Sequence, residues 1–248
     1  MKFTVTLGEK DYQADLAHPI DCSVAISATG ATAWGLWPAR IEPHREGNFT
    51  GSVALGATVN FNNVHFNPHS HGTHTECLGH ITHTVVSLNE APPPPLMPAR
   101  LVTLAPMEVK GGRAIRARQL REALQGPVCE AVVLRTQVSG PMLQSRCWTG
   151  TNPPYLEGEA AAWLASQGVR HLLLDLPSVD PEHDGGALAA HKAFWGLPDR
   201  PRHGATITEL IAVPATAEDG LYLLNLQTAA LENDASPSRP VLFKLTAV

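Results

Sequence analysis

Several things that would assign this chain to a simple class are scarce or absent. Its four cysteines, Cys22, Cys77, Cys129 and Cys147, are widely spaced, with no C-x-x-C pair. That argues against a dense secreted disulfide framework and points to reduced thiols in a cytoplasmic protein. No apolar run approaches the ~20 residues needed to cross a bilayer. The opening stretch "MKFTVTLGEKDYQADLAHPI" lacks the continuous apolar segment and cleavage site of a secretory leader. Long basic runs are missing and the formal charge is -5, so a nucleic-acid partner is not expected. Charged residues make up only 17% against 44% hydrophobic. That balance supports a packed core and excludes a disordered or coiled-coil protein.

What is there reads as one domain, residues 1–248, of mixed α/β type. "KFTVTLG" and "KDYQADL" alternate with period two and form a hairpin around Gly8-Glu9. Residues 21–51 are irregular. Strand character returns in "GSVALGATVNFNNVHF", and "NEAPPPPLMPAR" reads as a polyproline loop. Strands and helices then alternate. "ARLVTLAPM" is a strand, "AIRARQLREALQG" a helix ended by Gly126, "CEAVVLRT" a buried strand, and "YLEGEAAAWLASQG" a helix carrying Leu156 on its apolar face and capped by Gly168. "VRHLLLDL" is a strand, "GGALAAHKAFWG" a short helix, and "HGATITELIAV", "GLYLLNLQ" and "SRPVLFKLTAV" close the chain as strands.

The densest chemistry lies in "HFNPHSHGTHTECLGHITH", which holds six of the twelve histidines. Residues two apart on extended backbone share a face, so His74 and Glu76 can aim at one point. Imidazole with carboxylate suits zinc, manganese or iron, and a carboxylate can bridge two ions. Gly72 lets the chain bulge and bring His69 or His71 to the same centre. His80 falls beside it. His65 and His83, at the ends of the cluster, read as structural. Cys77, out of phase with the ligands, is expected to point away into the core. Glu209 lies in an apolar strand, in phase with Ile207 and Ile211, where an unpartnered carboxylate is costly and a cation would offset that cost.

"HSHGTHTECLGH" resembles the signature His-x-Gly-Thr-His-x-Asp-x-Pro-x-His of the cyclase-like metal-dependent hydrolases, the family that includes bacterial kynurenine formamidase and isatin hydrolase. The resemblance assigns His74 to the second histidine, Glu76 to the bridging carboxylate and His80 to a proton-transferring histidine. "AAHKAFWG" and "ATITELI" extend it, implying His191 and Glu209 as further ligands. Weaker likeness lies in "DLAHPI", "LRT", "LDLPSVDP" around Ser178 and Asp180, and "DASPSRPV". Ser70 stands where the family has its first histidine, so His69 is expected to replace it, with His71 as the rival.

The resemblance implies a three-layer β/β/α fold of the swivelling type, a homodimer or homotetramer, and one or two divalent ions, Zn2+ or Mn2+. It implies hydrolysis of a non-peptide C–N bond in a small-molecule substrate, an amide, formamide or lactam, by metal-activated water; composition already gives no expectation of a nucleic-acid or membrane partner. The alternatives are a metal-dependent cyclase or dehydratase acting on a small carbonyl compound, and a non-catalytic small-molecule binder. Trp34 and Trp37 are candidates to line an aromatic pocket, or to serve as packing residues.

Overall fold

A computed structural model describes residues 1–126, 129–136 and 141–248. Its framework is an eleven-stranded mixed sheet among the described residues. The strands are β1 (Lys2–Leu7), β2 (Lys10–Asp15), β3 (Ile20–Asp21), β4 (His74–Glu76), β5 (Leu96–Thr103), β6 (Ala131–Arg135), β7 (His171–Leu174), β8 (Thr206–Glu209), β9 (Gly220–Asn225), β10 (Ala235–Pro237) and β11 (Val241–Ala247). Their order across the sheet is β1-β2-β11-β9-β5-β6-β7-β8-β4-β10, with β3 also paired to β11. Strands β5 to β8 run parallel. The flanks are antiparallel, so the sheet is mixed.

The parallel centre is buried on both faces, which is why "AVVL" in β6 and "HLLL" in β7 read as unbroken runs instead of alternating. Side chains nevertheless sort by parity. Val132, Leu134, Leu172, Leu174 and Ile207 pack with α1 (Ala117–Ala123), α2 (Gly158–Ser166) and α3 (Ala189–Trp195). Ala131, Val133 and Leu173 face the opposite side with Met97, Tyr222 and Leu224. Pro98 sits inside β5 without breaking a ladder to β6, because that pairing begins one residue later, at Ala99↔Ala131.

Most expected elements are present, with shifted bounds. Leu156 belongs to a short strand, Tyr155–Leu156, beside Gly112–Ile115, and α2 begins only at Gly158. Its apolar side chain is core, so periodicity alone could not separate the two states. The segment "GSVALGATVNFNNVHF" is largely not strand. Val53–Leu55 is a 3-10 turn closed by Gly56 at φ 94°, and only Asn62–His65 pairs, with Arg40–Pro43 in a two-stranded ribbon. Its apolar residues are exposed, so alternation there had no core face to report. The polyproline loop ends earlier than expected, since β5 starts at Leu96.

Candidate metal centre

Strand β4 lies between β8 and β10, fully buried along its three residues. The register sets His74 opposite Glu209 and Glu76 opposite Ile207. Cross-strand neighbours on one face lie within reach of each other, and His74 Nε2 is 3.4 Å from Glu209 Oε2. Two residues remote in sequence therefore meet because two short strands pair. Just before β4 the chain turns at Gly72, whose φ is 79° and where a Cβ would stand 2.7 Å from the Val24 carbonyl. Only glycine fits that combination.

Helix α3 delivers His191 from the other side. Asp180, in the loop after β7, accepts the Ala190 N–H at 2.7 Å and the His191 ring Nδ1 at 2.6 Å. One carboxylate therefore ties down the first turn of the helix and the imidazole together. His191 Nε2 then reaches Glu76 Oε1 at 3.0 Å and lies 3.9 Å from Glu209 Oε1. Glu209 is held by the Val179 N–H at 2.9 Å.

His69 completes the ring. Its Nδ1 lies 3.0 Å from Glu76 Oε2, and its Nε2 donates to Asp234 Oδ2 at 2.7 Å. His80 stacks on His69 with ring centroids 4.1 Å apart. Its Nδ1 lies 3.4 Å from Asp234 and its Nε2 3.9 Å from Glu76 Oε2. All six residues singled out from the sequence thus lie together.

The structure also separates the two rivals at the shifted position. His71 has both nitrogens occupied elsewhere, Nδ1 accepting the Asn67 N–H and Nε2 donating to the Trp37 carbonyl, each at 2.8 Å. Ser70 is embedded, its hydroxyl donating to the Ala33 carbonyl and accepting the Ala33 N–H. Cys77 is buried with its thiol on the Val86 carbonyl, while His65 and His83 are exposed. One expectation needs correction. Glu209 shares a face with Ile207 but not with Ile211, which packs in the opposite core. Leu210 adopts φ 54° immediately after β8 and resets the alternation.

The residues fit a cation on their own evidence. Among the described residues the buried His74 Nε2 has no hydrogen-bond partner, and the buried Glu76 Oε2 faces imidazole nitrogens, His69 Nδ1 at 3.0 Å and His80 Nε2 at 3.9 Å. Each of three imidazoles is tied by one nitrogen to an oxygen, His69 to Asp234, His74 to the Gly72 carbonyl and His191 to Asp180, and turns the other towards the carboxylates of Glu76 and Glu209. An outer oxygen that fixes the ring and its tautomer is the usual support of a metal-ligating histidine. A fully buried carboxylate such as Glu76 costs several kcal/mol unless positive charge faces it. Without a cation, protons serve. Burial alone would lower His69 and His191, but their carboxylate neighbours outweigh it and push both up to about 10. Burial likewise opposes ionisation of Glu76, yet the surrounding imidazoles hold its carboxyl well below the usual range.

A cavity of about 330 Å³ opens onto this centre, walled by Trp34, Leu36 and Leu188 and by Glu182 and Asp184. Trp34 also donates its ring N–H to the His69 carbonyl at 3.0 Å. Trp37 is not part of the wall, being 88% exposed. The sequence pattern gives Asp234 no role. The only signal was its place in "DASPSRPV", one residue before the strand that pairs with β4.

Comparison with known proteins gives the family and the fold. The model of the "Putative cyclase" family matches residues 14–181, more than half of the chain. The chain belongs to that family. The match includes the histidine cluster and Asp180 but ends before His191, Glu209 and Asp234. Kynurenine formamidase of Bacillus cereus is 28% identical over 145 residues, 58% of this chain and 61% of the relative. The similarity therefore spans less than two thirds of that relative's length. Isatin hydrolase A from Labrenzia aggregata superposes with a TM-score of 0.63 at 16% identity, covering 91% of this chain and 93% of the other. A structure described as a predicted metal-dependent hydrolase from Bacillus stearothermophilus gives a TM-score of 0.63 at 16% identity, covering 91% and 98%. These two likenesses establish that the fold is shared.

Proposed function

We propose that this chain is a metal-dependent hydrolase that cleaves a small non-peptide amide, formamide or lactam with an activated water. The observation that carries the reading is the convergence of three tethered imidazoles on two buried carboxylates, with the buried His74 Nε2 left without a hydrogen bond among the described residues. His69, His74, Glu76, His191 and Glu209 would hold one or two divalent ions, Zn2+ or Mn2+. Such an ion supplies a water of lowered pKa and polarises the substrate carbonyl.

His80 does the proton work. Its Nδ1 faces Asp234 while its Nε2 faces the centre, so Nε2 can take a proton from the attacking water and return it to the departing nitrogen as the C–N bond breaks. The products are a carboxylate and an amine. Trp34 and Leu36 give the cavity an apolar side suited to an aryl or small cyclic group.

The similarity to kynurenine formamidase supports formamide chemistry, and the isatin hydrolase fold is compatible with lactams. We further propose that the chain acts as one cytoplasmic domain in a homodimer or homotetramer. Among the described residues no helix is long and apolar enough to cross a membrane. The test is to assay formanilides, isatin-type lactams and dehydration substrates with Zn2+ or Mn2+ added. Hydrolysis that disappears on chelation and returns with metal supports the reading. Turnover confined to dehydration, or none, overturns it.

A further inference from the structure

We infer that Asp234 is a positioning residue that aims two imidazoles at once, holding His69 as a ligand in its shifted place and presenting Nε2 of His80 to the cavity. This rests on the metal-hydrolase reading above.

In the family signature the first histidine stands two residues before the glycine, in phase with His74. Here that position is Ser70, locked onto Ala33 by two hydrogen bonds and fully buried. A ligand one residue earlier starts from a different backbone direction and needs its own restraint. His69 has three. Its N–H donates to Asn67 Oδ1 at 2.9 Å and its carbonyl accepts from Trp34 at 3.0 Å, which fixes the main chain. Neither bond sets the ring. The ring is set by the 2.7 Å bond from Nε2 to Asp234 Oδ2, which keeps the proton on Nε2 and leaves Nδ1 directed at Glu76.

The same Oδ2 lies 3.4 Å from His80 Nδ1. With the two rings stacked at 4.1 Å, one oxygen orients the pair. Asp234 is itself placed by the sheet, since its carbonyl accepts the Cys77 N–H directly after β4. The carboxylate therefore travels with the strand that carries His74 and Glu76. Outer partners of metal-bound histidines are typically worth 10–100-fold in metal affinity.

The test uses Co2+ alone as probe, with affinity from titration and the visible absorption band as a report of ligand geometry. Asp234→Asn keeps the side-chain volume and the backbone bond, and should weaken Co2+ binding 10–100-fold and shift the band. The same substitution should have its full effect in a His80→Ala background and less than a twofold effect in a His69→Ala background, because the metal senses Asp234 through His69. Should Asp234→Asn unfold the chain, Asp234→Ser replaces it, read against the same two backgrounds. Wild-type protein that binds Co2+ with an affinity and spectrum unchanged by Asp234→Asn overturns this inference and leaves the metal centre standing. Equal effects in both backgrounds also overturn it. Wild-type protein that takes up no Co2+ overturns both.

Discussion

Stripped of metal, the protein should lose stability between pH 7 and 8, and saturating zinc should abolish that loss. In the metal-free state the carboxylates around His69 and His191 raise both to about 10, against about 6.5 in an unfolded chain. A histidine raised on folding adds stability that is complete below its unfolded value and is lost as pH climbs towards the folded one. Across pH 7 to 8 the unfolded imidazoles have largely shed their protons while the folded ones keep theirs. Each then contributes a slope of about -1.4 kcal/mol per pH unit.

His191 is only 3% exposed and should deliver nearly that amount, whereas His69, 19% exposed, delivers less through solvent screening. The pair gives a fall of roughly 2 kcal/mol over the unit. Four other shifted groups lie outside this window in the folded protein. Burial lowers His171 to about 4 and raises Asp175 to about 6, and it lifts the Cys22 and Cys77 thiols to about 12 and 11. With zinc bound, the ligating imidazoles carry no proton on the liganding nitrogen, so neither state changes protonation and the curve flattens. Urea unfolding followed by tryptophan fluorescence, in EDTA and in buffered zinc, measures both slopes. Metal-free stability that is flat or rises with pH would refute the reasoning.

Further outcomes follow from the same geometry. His80→Ala should retain metal yet lower kcat for formanilide hydrolysis by about 10²- to 10⁴-fold, checked by metal analysis alongside steady-state kinetics. Gly72→Ala combines a disfavoured φ of 79° with a Cβ 2.7 Å from the Val24 carbonyl. It should cost more than about 1 kcal/mol in urea unfolding and weaken metal binding with it. Trp34→Ala removes the aryl wall of the cavity and should raise KM for aryl amides several-fold more than for small aliphatic formamides.

The sequence exposed the local part of this centre more readily than the distant part. His74 and Glu76 were legible because a two-residue period forces neighbours of equal parity to one face, and β4 obeys it. The turn before β4 has no such period. Between His69 and His71 the partners decide, the nearby Asn67 and the distant Trp37 claiming one ring and the distant Asp234 the other. His191 and Glu209 were reachable through family resemblance, since nothing local distinguishes a ligand from a buried salt-bridge partner until the β4–β8 register is known. Ile211 was misplaced because one left-handed residue, Leu210, resets a strand's parity without a glycine to announce it. Asp234 was invisible in its role, because its partners His69 and His80 lie 165 and 154 positions earlier in the chain and meet it only through β10 pairing with β4.

The most direct measurement is elemental analysis of protein purified without chelator or affinity tag, wild type beside His74→Ala. At least one divalent transition metal per wild-type chain, absent from His74→Ala although that variant remains folded by circular dichroism, is the predicted result. Metal-free wild-type protein that neither takes up added Zn2+, Mn2+ or Co2+ nor gains thermal stability from them would contradict the account.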